Sequence, residues 1–243
     1  MMPDLSRALS KERDNDLDKI IRYYKDFSPD SDVFSDNNLG LLRLIHGFAF
    51  SLGLWQSKLE AGKIEATVYF QELRSDIIQL IPSIIFGNKR SFRLYQRSAI
   101  EDFLRYIFYY HHPIEHIILQ DEPTTYASMD NLFSWVKHHP WLREFRDESN
   151  GCCDELNSAY SSISRSVHAT TVKEFQLSDE IISLHAPFVT AGIILEFRSV
   201  SEAIMFLLCS FHKQKFHEFD LNERRIIMEF IRKGHKKTLL GLI

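Results

Sequence analysis

Apolar residues recur along most of this chain three and four positions apart, the spacing of one helix face, and the interruptions mark where helices stop. Lys11 to Phe27 carries Leu17, Ile20, Ile21 and Tyr24 at that spacing before Ser28-Pro29-Asp30-Ser31 breaks it. Between Asn37 and Lys58 the apolar positions Leu41, Leu42, Leu44, Ile45, Phe48, Phe50 and Leu52 run nearly all the way round, which places this helix at the centre of the fold. A third helix is predicted from Lys63 through Ile85, kinked at Pro82, and a fourth from Lys89 to Tyr110, stopped by His112-Pro113. Helices follow at Met129 to His139 and Trp141 to Phe145, and Ser149-Asn150-Gly151 is expected to introduce the next, which ends near His168. Beyond it, Val172 to Gln176 and Glu180 to Leu184 read as a small β-hairpin or an irregular excursion over 172–184. Val189 to His217 and Asn222 to Lys237 close the chain as two further helices. The pattern predicts an all-α fold with about eight to ten helices: residues 1–36 as a leading helix and linker, 37–243 as a single helical-bundle domain.

Two of these helices carry polar rows. At about 100° per residue, Leu156, Ala159, Tyr160, Ile163 and Val167 form an apolar arc, and Asn157, Ser161, Ser164 and His168 line its edge. A polar row at the border of a core faces a cleft or a partner helix. On the fourth helix Arg93, Arg97, Glu101 and Arg105 climb one stripe, and Arg97 falls inside the edge of the arc made by Ile100, Phe103, Ile107 and Tyr110. A half-buried arginine needs a carboxylate, and Glu101 lies one turn from both Arg97 and Arg105. The stripe reads either as an ion-pair ladder that locks neighbouring helices or as a cationic wall for phosphate.

Composition narrows the class. The chain has 243 residues, enough for a sizeable core, with 19 Phe against only 9 Gly and 7 Pro, a balance that favours long helices over turn-rich β architecture. A formal net charge of −4 excludes a wholly basic nucleic-acid-binding surface and leaves only a local patch. The basic run Arg224, Arg225, Arg232, Lys233, His235, Lys236 and Lys237 is such a patch, or else a solvated face favoured at a helix C-terminus. Cys152, Cys153 and Cys209 give neither a disulfide framework nor metal-ligand spacing, and the N-terminus shows no secretory signal, so a cytoplasmic location is expected. The longest apolar tract, Ile193 to Phe211, is interrupted by Glu196, Arg198 and Glu202 and reads as a buried helix, not a membrane span. His112 and His116 have the spacing of a helical ligand pair beside His111 and Glu115, but Pro113 turns His112 off the helix face, and no metal or other cofactor is expected. Phosphate-binding glycine loops are absent.

Arg97-Ser-x-x-Glu101 and Tyr160-x-x-x-Ser164-x-x-Val167-His168 resemble two helices of the HEPN superfamily, four- to five-helix bundles of RNA-cutting toxins, abortive-infection systems and other prokaryotic conflict proteins. The resemblance implies metal-independent RNA cleavage, in which a 2′-hydroxyl attacks the adjacent phosphate, His168 moves a proton and an arginine stabilises the developing charge at a cleft that forms across a homodimer. The catalytic set it implies is His168 with Arg165 or Arg97 and Glu101, and Arg105, Ser164, Ser161 and Asn157 would contact RNA or its phosphates. The chain departs from the family's Arg-x4-6-His motif, because Ile163, Ser162 and Ser161 occupy the positions where the arginine would stand. Either Arg165 substitutes, or Arg97 reaches in from the other helix, or the site has lost catalysis. The alternative is a non-catalytic α-helical interaction or regulatory subunit that binds a partner protein, with His168 a helix-terminal histidine held by the last carbonyls.

Overall fold

The computed structural model describes residues 5–27, 36–60, 65–168 and 188–241. The all-α expectation holds, with no strand among the described residues. In chain order the helices are α1 (Leu5–Phe27), α2 (Asp36–Glu60), α3 (Thr67–Ile85), α4 (Lys89–His111), α5 (Pro113–Asp121), α6 (Met129–His138), α7 (Arg146–His168), α8 (Ala191–Phe211), α9 (Lys213–Glu218), α10 (Leu221–Met228) and α11 (Lys233–Leu239). Two 3-10 turns, Pro123–Thr125 and Pro140–Phe145, flank α6. Among the described residues no helix is long and apolar enough to cross a membrane.

The five long helices α2, α3, α4, α7 and α8 form a closed ring in which each packs on the next and α8 returns to α2. Their inward faces explain the closure: Phe48 and Trp55 of α2, Phe70 of α3, Phe103 and Tyr106 of α4, Leu156 of α7 and Phe197 and Phe206 of α8 are all buried. Ring contacts cross the centre, Phe48 against Phe197 and Phe70 edge-on to Tyr106. The all-round apolar α2 therefore sits inside, as its sequence pattern requires. The leading helix α1 packs on α2 and α10, where Arg13 pairs with Glu229 at 2.6 Å and Asp16 reaches His46 at 2.9 Å.

Several boundaries differ from the sequence reading. Helix α7 begins at Arg146 and runs straight through Ser149-Asn150-Gly151, because the preceding 3-10 turn already starts the helical course and nothing crowds Gly151. The helix expected over Val189 to His217 breaks at His212, which leaves helical geometry to pack beneath Tyr106 and Trp55. The helix expected over Asn222 to Lys237 also divides. Ile226, Ile227, Phe230 and Ile231 are all buried, and Arg232 adopts an extended conformation that delivers its guanidinium to Glu155 and Glu202. These breaks raise the count to eleven α-helices among the described residues, above the eight to ten expected. The hairpin or irregular excursion expected over 172–184 lies outside the described residues.

Asp220 starts α10 with a reciprocal cap: its carboxylate accepts from the Asn222 and Glu223 amides, and Glu223 returns to the Asp220 amide. Asp220→Ala is expected to cost about 1 kcal/mol in urea unfolding; an unchanged midpoint would show that packing alone fixes α10.

Candidate functional site

The site lies between α4 and α7, which are neighbours in the ring. Gly87, at φ 65°, turns the chain out of α3, and the Asn88 side chain accepts from the Ser91 amide at 2.9 Å to start α4. Arg93 then ties α4 to Glu196 of α8, and Arg90 donates to the Val167 carbonyl at 3.4 Å, fixing the end of α7 against the first turns of α4. That contact places the last residue of α7, His168, beside Arg97.

Arg97 is the hub. Its Nη1 lies 3.0 Å from His168 Nε2, its Nη2 donates to the Tyr160 hydroxyl at 3.1 Å, and its Nε lies 3.0 Å from Glu101 Oε1. The guanidinium also stands 5.3 Å from the Tyr160 ring centroid, within cation–π range. Tyr160 donates its hydroxyl proton to Glu101 Oε1 at 2.9 Å, and Arg105 donates to the other oxygen of Glu101 at 3.2 Å and to Asp102 at 3.2 Å. A guanidinium has no acceptor, so His168 Nε2 accepts and the ring in this arrangement is neutral, with its proton on Nδ1. Burial works against charge on Arg97, but the bonds to Tyr160 and the attraction of Glu101 more than offset it and raise its pKa. Burial pushes the Tyr160 phenol up, so it stays protonated as donor to Glu101.

His168 is exposed, whereas the Arg97 and Glu101 side chains are 24% and 16% exposed. The arrangement thus presents an accessible imidazole backed by a half-buried, fixed cation. Chemically it provides a proton acceptor beside a group suited to anionic oxygen, the pairing that acid–base chemistry at a phosphate requires. Ser164, one helical turn from both Tyr160 and His168, keeps its hydroxyl buried with no hydrogen-bond partner among the described residues, along the same row.

The other candidates from the sequence separate. Arg165 is exposed and makes no hydrogen bond among the described residues, so the arginine at His168 is Arg97. Asn157 and Ser161 are exposed on the outer side of the row, and Arg105 is held by two carboxylates. Arg90 was missed: a lone exposed arginine at a helix start carries no sequence signal, and only the meeting of α4 with the end of α7 gives it a role. Tyr160 stood out as part of the apolar arc, while its hydroxyl is what joins Arg97 to Glu101.

The histidines that share ligand spacing diverge. His111 packs among Trp135, His139 and Trp141, His112 stacks on Phe108, and His116 lies against Tyr69 and Tyr109. Among the described residues no three His, Cys, Asp or Glu are grouped to hold a metal ion. Burial pushes the Cys152 and Cys153 thiols up to about 12, far from a nucleophilic thiolate at neutral pH. No family model, curated protein or solved structure matches the chain.

Proposed function

We propose that this chain is a HEPN-like component of a prokaryotic conflict system, a toxin or phage-defence protein, that cuts RNA without a metal ion. The observation that carries the reading is the exposed His168 imidazole held 3.0 Å from the Arg97 guanidinium, one on each of two neighbouring core helices. His168 Nε2 takes the proton of the attacking 2′-hydroxyl, the P–O5′ bond breaks with the departing oxygen taking a proton from solvent, and Arg97, released from the ring nitrogen by the incoming phosphate, stabilises the phosphate oxygen on which charge develops. Glu101 and Tyr160 hold the guanidinium in place, and Arg90 adds positive charge at the mouth. Arg97 takes the part that the family gives to an arginine upstream on the histidine's own helix. A second copy across a homodimer would pair two such sites.

A ribonuclease of this kind leaves a 2′,3′-cyclic phosphate and a 5′-hydroxyl, because the 2′-oxygen itself displaces the leaving group. The test is incubation of purified protein with a mixed pool of cellular RNA in EDTA. Wild type is expected to cut, Arg165→Ala is expected to cut equally well, and a substrate with a single 2′-deoxy sugar at a mapped cleavage point should resist there. Failure to cut any RNA would move the assignment to the second reading, a regulatory or interaction subunit. One feature favours that alternative: Arg97 is already bonded to Tyr160 across the α4–α7 contact and paired with Glu101 one turn along its own helix, as in a structural ion-pair cluster.

A further inference from the structure

Helix α5 is an unusual surface element, because only one of its residues, His116, is buried. Ile114, Ile117 and Ile118, three and four positions apart, share a face and stand 69%, 52% and 44% exposed. Val68, near the start of α3, is 51% exposed, and Ile117 and Val68 together form one wall of a cavity of about 640 Å³. Its other lining residues are Tyr69, His116 and Gln120 with four acidic ones, Glu65, Glu72, Asp102 and Asp121, and no lysine or arginine is among them.

Among the described residues the one arginine or lysine paired with the acidic wall is Arg105, which holds the 4% exposed Asp102 and is shared with Glu101. Burial pushes Asp102 up to about 7 and its neighbour Asp76 up to about 6, and among the described residues one buried carboxylate oxygen of Asp76 has no hydrogen bond. A second polar group points the same way. His116 is 7% exposed, lines the cavity, and its Nδ1 makes no hydrogen bond among the described residues, although a Glu65 carboxylate oxygen lies 3.5 Å away. An uncovered apolar stripe that runs into a negatively charged hollow is complementary to one kind of ligand.

We propose that this face docks a basic amphipathic helical segment of a partner protein, whose lysine or arginine enters the cavity among the exposed Glu65, Glu72 and Asp121 while its apolar residues cover Ile114, Ile117, Ile118 and Val68. The buried apolar area supplies affinity and the charge pairing supplies orientation and selectivity. The face is separate from Arg97 and His168, and the inference does not rest on the ribonuclease reading.

The probe is a synthetic helical peptide with leucine on one side and lysine on the other, titrated calorimetrically into the full chain. Binding is expected, and replacing the peptide's lysines by glutamate should abolish it. The exposed triple variant Glu65→Gln/Glu72→Gln/Asp121→Asn and, separately, Ile117→Ser should each weaken binding about tenfold or more, a change of about 1.4 kcal/mol. Circular dichroism confirms that these surface substitutions leave the helices intact. Equal affinity for wild type and either variant overturns the proposal. Spermine binding as tightly as the peptide also overturns it, by making the cavity a small-cation site. Concentration-dependent dimerisation that is lost in Ile114→Ser/Ile117→Ser overturns it in favour of a second copy.

Discussion

His168→Ala is expected to lower RNA cleavage in EDTA by about 10²- to 10⁴-fold, the range of a positioned general acid or base, and Arg97→Gln by about 10²- to 10³-fold, the cost of losing one fixed donor to a developing negative charge. The two losses have different structural accompaniments. His168 is exposed and bonded, among the described residues, only through Arg97, so its removal should leave stability within about 0.5 kcal/mol of wild type. Arg97→Gln removes a donor from Tyr160 and the charge facing Glu101, both half-buried, and should cost on the order of 1–3 kcal/mol. Tyr160→Phe keeps the ring under the guanidinium but removes the hydroxyl between Arg97 and Glu101. It should therefore reduce cleavage less than Arg97→Gln. Cleavage by His168→Ala at the wild-type rate would remove the histidine from the chemistry. Equal stability and equal cleavage for Arg97→Gln would leave the guanidinium without the part assigned to it.

The long helices were legible because each carries its own record of burial: α2 is apolar nearly all round, and α4 and α7 show an arc with a polar edge. The Arg97, Glu101, Arg105 stripe was legible for the same reason, since bonds one turn apart on one helix follow from spacing alone. What spacing could not supply was the choice between Arg97 and Arg165 as the partner of His168. That choice depends on how far α7 extends along α4, which is set by contacts such as Arg90 to the Val167 carbonyl. Helix ends were illegible where tertiary contacts overrode continuous periodicity, as at His212, drawn under Tyr106, and at Arg232, drawn to Glu155 and Glu202. At His111, His112 and His116 the sequence already set a common ligand aside, because Pro113 turns His112 off the helix face, and each of the three rings packs against aromatic neighbours.

Replacing the buried carboxyls, in Asp76→Asn/Asp102→Asn, is expected to make the protein more stable than wild type at pH 8 and to expose a steep loss of stability on acidification that wild type does not show. Two sets of buried groups act in opposite senses. Burial lowers His212 from 6.5 to about 3 and His139 to about 4. Between those values and 6.5 the unfolded chain binds protons that the folded chain refuses, so the histidines' contribution is fully present above pH 6.5 and is lost as pH falls. Burial raises Asp76 and Asp102 from 3.8 to about 6 and about 7, so the folded chain holds protons that the unfolded chain has released. Their contribution is fully present below pH 3.8 and is lost as pH rises through 6 and 7. From about pH 4 to 6 the two sets offset each other, each group acting with a slope of up to about 1.4 kcal/mol per pH unit. Asparagine keeps the shape of each aspartate and removes its titration, so the histidines are left unopposed. The variant should then lose on the order of 2–4 kcal/mol between pH 6.5 and 4, read as a fall in the urea midpoint at constant slope. His212 is the more buried of the two, with its Nε2 2.8 Å from the Tyr106 hydroxyl. Parallel pH profiles for variant and wild type would show that the Asp76 and Asp102 carboxyls are solvated well enough to titrate as they do in the unfolded chain.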